Sequence, residues 1–280
     1  MLNHIKYVNH LNETIEFGKN ILIVTDSDLL DFSWNVEKSN DIISGFTRKI
    51  ASKSVTVVIK NRNEAEAVRA KNQFFEIFEK DVLAKKSGKF VIGDYYLKCY
   101  VIGSVKNDYV ARSNYITIKL KISTDYPYWC HELEKSFIKG NIVNETGAKT
   151  GKLSYPYRYP YRYSMPQDVG FILNDHYASC DFKMIIYGPC TNPSILINGH
   201  LYEVTTTLYT GEYLVVDSRN NTVIRYLNDG RTENLFNWRN KDHSLFEKIP
   251  SGHCSVLWNT DSFGFDIVLF QERSEPKWNL

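Results

Sequence analysis

Residues 114–124 alternate without a break: Ile116, Ile118, Leu120 and Ile122 fall on one side, Thr117, Lys119 and Lys121 on the other. A period of two with one apolar side predicts a half-buried β-strand. The β-branched run 54–60 predicts another, leading into the one segment with a helical period. There, over 63–86, Val68, Phe75, Phe78 and Val82 recur at spacings of three, four and seven, the stripe of an amphipathic helix about six turns long. Asn63 can cap its first turn, Glu64 and Glu66 suit the positive N-terminal dipole, Lys85 and Lys86 suit the other end, and Gly88 can supply a left-handed stop. Residues 90–92, the turn pair Gly93-Asp94 and residues 95–101 then predict a hairpin.

Beyond residue 166 the apolar runs are short: 183–187, 194–198, 202–208, 213–217, 222–227, 244–248, 253–258 and 265–270. Turn residues separate them, including Gly188-Pro189, Asn198-Gly199, Asn228-Asp229-Gly230 and Pro250-Ser251-Gly252. About eight strands with turns roughly every ten residues predict an antiparallel sandwich of jelly-roll size. No helical or solenoid repeat is visible in either half.

Between the halves the pattern changes. Residues 139–165 are rich in Gly, Asn, Thr and Lys and end in Tyr155-Pro156-Tyr157-Arg158-Tyr159-Pro160-Tyr161-Arg162-Tyr163. Two prolines without amide donors exclude a helix interior or central strand, while alternating Tyr and Arg can lie extended across a surface. The expected domains are therefore 1–150, β-rich with the helix, and 167–280, a β-sandwich, joined by an extended linker 151–166. Tyr155, Tyr157, Arg158, Tyr159, Tyr161, Arg162 and Tyr163 form a candidate protein-contact surface, since aromatic side chains give large contact area at little entropic cost. Trp278, in the charged tail after the last apolar run, is a candidate packing anchor for its own domain or for an assembly.

Composition narrows the picture. With 280 residues and 43% hydrophobic content the chain can fill two cores, and its 19 Tyr and 15 Phe favour sheets over helix bundles. Its 34 basic and 32 acidic residues leave a net charge of +2, so nothing favours nucleic acid or anionic lipid as a partner. Cys99, Cys130, Cys180, Cys190 and Cys254 are widely spaced and odd in number, which predicts reduced core thiols rather than a zinc ribbon or disulfide scaffold. The start, Met1-Leu2-Asn3-His4-Ile5-Lys6-Tyr7, has no apolar signal core, and no later run is long enough to span a bilayer, so a soluble protein made in a cytoplasm is expected.

Candidate chemistry is sparse. Nucleotide-binding loops, nucleophile elbows and paired-His zinc motifs do not occur. Cys130-His131-Glu132 pairs a thiol with a base, but neighbours on a strand point to opposite faces. The seven His have no ligand spacing within an element. Glu203, Glu212, Asp217, Asp261 and Asp266 sit near strand ends, where turn hydrogen bonding is their ordinary use, although two facing carboxylates would suit a glycosidase. Trp238 and Arg239 are the residue types that stack and hydrogen-bond a sugar, which makes a carbohydrate-binding sandwich the alternative reading. No catalytic residue, cofactor or metal site is expected.

The chain resembles the distal tail protein family of long-tailed, non-contractile bacteriophages. The resemblance rests on Ile15-Glu16-Phe17-Gly18, Phe78-Glu79-Lys80-Asp81-Val82-Leu83 and the block from Gly88-Lys89-Phe90 to Leu97-Lys98-Cys99-Tyr100. In the second half it rests on Gly199-His200-Leu201-Tyr202, Gly211-Glu212-Tyr213-Leu214, Phe246-Glu247-Lys248-Ile249-Pro250-Ser251-Gly252 and Glu272-Arg273-Ser274-Glu275-Pro276-Lys277-Trp278. It implies an N-terminal barrel- or sandwich-like domain with a helix and a C-terminal galectin-like sandwich. It also implies a homo-hexameric baseplate hub at the virion tail tip, between the tail tube protein and a tail-associated lysin or fibre protein with the receptor-binding protein, and no enzymatic activity.

Overall fold

The structure, a computed structural model, describes residues 5–18, 22–60, 64–107, 115–140 and 169–277. The chain divides into two compact units, residues 1–131 with 272–280, and residues 132–271. The expected linker 151–166 lies outside the described residues. Residues 132–140, expected with the first domain, group with the second unit, and residues 272–277 group with the first. The protein is mainly β, with a single α-helix among the described residues.

The first unit contains β1 (Ile5–Val8), β2 (Thr14–Glu16), β3 (Leu22–Ser27), β4 (Asn35–Ser39), β5 (Ile42–Thr47), β6 (Ala51–Lys60), α1 (Glu64–Ala84), β7 (Gly88–Ile92), β8 (Tyr95–Asn107), β9 (Tyr115–Thr124) and the start of β10 (Trp129–Phe137). Two antiparallel paths, β2-β1-β7-β8-β10 and β3-β6-β9-β8, share β8. Residues 95–99 of β8 pair with β7 and residues 100–107 with β9, and the register shifts between Val101 and Gly103, a bulge that lets one strand serve both paths. Gly93 has φ 58° and Ile92 pairs with Tyr95, so the predicted two-residue hairpin forms. The predicted alternation in β9 holds as well: Ile118, Leu120 and Ile122 are buried with Val55, Val57 and Ile59 of β6.

The helix forms where its period predicts, but it is rotated relative to the expected stripe. Phe74, Ile77, Phe78 and Asp81 are buried, whereas Val68 and Val82 are 51% and 41% exposed. Phe74 and Phe78 pack edge-on against Phe17 and Tyr7. Asp81 turns inward because partners wait there. Tyr7 Oη donates to Asp81 Oδ2 at 2.6 Å, and the His10 backbone N–H donates to Oδ1 at 2.9 Å. The helix stops without Gly88. Lys85 takes the left-handed conformation at φ 54°, with Lys86 N–H donating to Asp81 O and Lys85 N–H to Val82 O, a Schellman motif. Gly88 instead opens β7, where a Cβ would lie 2.3 Å from both Tyr7 Oη and Asp81 Oδ2. The expected cap Asn63 lies outside the described residues.

The second unit contains β11 (Val169–Asn174), β12 (Asp181–Tyr187), β13 (Cys190–Thr191), β14 (Ser194–Ile197), β15 (His200–Glu203), β16 (Thr207–Leu208), β17 (Tyr213–Asp217), β18 (Thr222–Tyr226), β19 (Thr232–Asn234), β20 (Gly252–Trp258) and most of β21 (Phe265–Arg273). They form antiparallel sheets β19-β18-β17-β12-β21 and β11-β20-β14-β15, with β13 and β16 as a separate pair. Alternate residues of both sheets share one core: Phe182, Met184 and Ile186 from β12 meet Ile195 and Ile197 from β14 and Cys254 and Val256 from β20. This is the sandwich that the short-strand pattern predicts.

Two expected strands differ. Residues 244–248 form a turn, Glu247 N–H donating to Ser244 O, and pairing is confined to Ile249 with Cys180. Leu245 and Ile249 are buried, so the alternation there reflects a core-facing loop. Residues 202–208 break after Glu203, where Val204 bridges Arg239 before β16 begins. All five cysteines are buried as thiols.

Candidate functional site

The first unit carries a feature that its own core does not explain. β4 and β5 form a two-stranded ribbon of their own. Ser39 pairs with Ile42, and the intervening Asn40 and Asp41 take φ of 49° and 60°, as a two-residue type I′ turn requires. An isolated ribbon in water is marginal, yet this one exposes Val36, Ile42, Ile43 and Phe46.

A bulge sorts these side chains. Val36 pairs with Phe46 and Lys38 with Ile43, whereas Glu37 pairs with Gly45, leaving Ser44 as the extra residue. Directly opposed residues share a face, so Val36, Ile43 and Phe46 lie together with Lys38. Without the bulge, Ile43 and Phe46, an odd number of residues apart, would point to opposite sides.

The ribbon is fixed at its root. The Arg48 guanidinium sits 4.3 Å from the Trp34 ring centroid, 4.6 Å from Tyr128 and 5.4 Å from Phe32. It also donates to Pro127 O at 2.6 Å and to Ser274 Oγ. A planar, always-charged group with several donors can stack and hydrogen-bond at once. Beside it lies a cavity of about 500 Å³, lined by Phe32, Arg48, Ile50, Lys53 and Trp129 among others. Burial pulls the Lys53 ammonium below its ordinary range, against the nearby Asp28 and Asp31, while Nζ donates to the backbone carbonyls of both.

A second apolar surface results from the rotation of α1. Phe75, Val82 and Leu83 of the helix and Val101 and Ile102 of β8 line a groove of about 400 Å³, with Glu79 at its rim. Leu83 is 82% and Ile102 60% exposed, and Val105 continues the strip along β8. Contiguous apolar patches of this kind mark association sites.

The expected contact residues Tyr155, Tyr157, Arg158, Tyr159, Tyr161, Arg162, Tyr163 and Trp278 lie outside the described residues. Trp238 is 58% exposed on the 3-10 turn Phe236–Trp238. Arg239 folds back from it, 3.8 Å above the Phe236 ring and donating to Phe236 O at 2.5 Å. Cys130 is buried, its sulfur 3.8 Å from the His131 carbonyl oxygen. The carboxylates serve structure: Glu203 accepts from Asn240, Asp266 from Tyr187, Asp217 from Arg219 N–H, and Glu212 pairs with Arg225. No group of three or more His, Cys, Asp or Glu that could hold a metal ion occurs among the described residues. Nor is any described helix long and apolar enough to cross a membrane.

No protein-family profile matches the sequence, and no curated protein is similar to it. Solved structures do match. A chain of the phage P2 baseplate in its activated conformation with Ca superposes at a TM-score of 0.61 and 12% identity, covering 99% of this chain and 100% of that one. The Dit protein of phage SPP1, described as a paradigm of the hub adsorption apparatus in phages infecting Gram-positive hosts, superposes at 0.57 with 8% identity over 96% and 99% of the two chains. This chain has the Dit fold. The phage p2 baseplate with Sr gives the same picture, with a TM-score of 0.60 at 12% identity. The resemblance read from the sequence therefore holds at the level of the fold, and both units are part of it. On this Dit fold, the ribbon and the α1–β8 groove both belong to the first unit. Sequence reasoning missed both, although Asn40-Asp41 is a pair of residue types that tolerate the positive φ of a two-residue hairpin turn.

Proposed function

We propose that this protein is a structural component of a bacteriophage tail, a distal tail protein whose first unit assembles into a hexameric ring at the tail tip. The ring joins the tail tube protein to the lysin or fibre protein and the receptor-binding apparatus, acts without catalysis, and is made in the host cytoplasm. The observation that carries this reading is the end-to-end correspondence with phage baseplate and Dit chains, with at least 96% of each partner covered. Two further features support it. The first unit exposes apolar surface beyond what a solitary domain needs. The carboxylates Glu203, Glu212, Asp217 and Asp266, and Cys130, are committed to structural contacts.

In the proposed assembly the segment bearing Tyr155, Tyr157, Arg158, Tyr159, Tyr161, Arg162 and Tyr163 contacts a neighbour, and the second unit, proposed to be galectin-like in shape, carries the outward partners. Negative-stain microscopy of the chain purified with and without its phage's tube protein tests this. Six-fold rings are expected, at least on the tube. Monomers under both conditions, at high concentration, would sink the reading.

A further inference from the structure

A closed ring of identical chains uses a heterologous contact, in which two different surfaces of the same chain meet. The first unit offers two such surfaces. We propose that the apolar face of the β4–β5 ribbon of one copy, formed by Val36, Ile43 and Phe46, seats in the α1–β8 groove of a second copy. This names the contact within the hub reading and rests on that reading.

Size supports the pairing. Val36, Ile43 and Phe46 are 46%, 55% and 58% exposed on one face of the ribbon. Three such side chains, at roughly 100 Å² apiece, present on the order of 300 Å² as the apolar centre of a contact, within the roughly 800 Å² per partner of a stable interface. The groove of about 400 Å³ has room for several aliphatic and aromatic side chains. Both surfaces sit on regular elements, so neither has to be ordered before it binds.

Charge supports it as well. Lys38 shares the ribbon face with the three apolar residues, and Glu79 stands at the rim of the groove. Neither has an ion-pair partner among the described residues. Opposite charges on the two surfaces favour an orientation with Lys38 toward Glu79.

The test uses full-length chains with the tube protein present. One variant carries I43D and F46D, the other L83D and I102D; all four positions are exposed, and unchanged melting confirms that each variant folds. Each variant alone is expected to lose the ring and run as a monomer. Their mixture is expected to form dimers and nothing larger, because each retains one intact surface of the pair. K38E and E79K are each expected to weaken assembly about tenfold, and the double variant to recover it. If the mixture stays monomeric while the wild type forms rings, the pairing falls and the hub reading stands. Rings from either double-aspartate variant also overturn the pairing. A wild type that never assembles overturns both.

Discussion

Tyr7 Oη donates a 2.6 Å hydrogen bond to Asp81 Oδ2, and neither side chain has any exposed surface. His10 Nδ1 lies 2.5 Å from the other carboxylate oxygen, so the last turns of α1 are tied to the chain at both edges of one acid. Lys80 adds a shallower tie to Glu13 at 2.6 Å.

Removing the hydroxyl in Tyr7→Phe leaves a buried acceptor short of one donor, and a loss of about 1–3 kcal/mol is expected in urea unfolding. Gly88→Ala is expected to cost at least as much, because its Cβ would land 2.3 Å from the same two oxygens. A Gly88→Ala protein as stable as the wild type would show that this packing is looser than described.

At the root of the ribbon, Arg48→Lys keeps the charge but loses the planar stack on Trp34 and Tyr128. Trypsin cleavage at Lys38 and Lys49 should become several-fold faster, with melting lowered by only a few degrees. Unaltered cleavage would mean that Arg48 does not hold the ribbon.

Alkaline pH should weaken the fold. Burial raises the Cys190 thiol from its ordinary 9.0 to about 11. The hydrogen bond to Asp266, with burial behind it, pushes Tyr187 from 10.0 to about 12. Both groups hold their protons more tightly when folded, so their stabilisation is complete below the ordinary values and is lost as pH rises toward the folded ones. Melting temperature should fall between about pH 9 and pH 12, and Cys190→Ala should flatten the part between 9.0 and about 11.

Glu212 gives the opposite dependence. Burial opposes its charge, but the Tyr209 N–H and the Arg225 guanidinium, 2.6 Å away, together hold its carboxyl below the ordinary 4.5. The folded state thus binds this proton more weakly, and the stabilisation present above pH 4.5 is lost as pH falls beneath it. Arg225→Ala is expected to cost about 2 kcal/mol at pH 7 by removing charged hydrogen bonds. Glu212→Gln should make acid unfolding less steep.

Elements whose partners are regular were legible in the sequence. β9 and the β7–β8 hairpin follow from strict alternation and from Gly93, and most strands of the sandwich follow from turn residues. The existence of α1 was equally plain, but its rotation was not. Both Phe75-Phe78-Val82 and Phe74-Phe78-Asp81 satisfy the same spacings, and the choice depends on Tyr7, 74 positions away in the chain. The ribbon was hidden by its own bulge, since Ile43 and Phe46 share a face through an extra residue that breaks the period of two. At 244–248 an alternating run belongs to a loop that Ile249 ties to Cys180. The groove could not be read at all, because it arises from a helix rotation fixed by distant contacts.

The hold of Arg48 on Ser274, and of Tyr126 on Glu272 at 2.5 Å, places the last described residues inside the first unit. A ribosome must therefore finish the whole second unit before the first can complete its folding. The ribbon root, which depends on Arg48, is then among the last parts of the chain to settle.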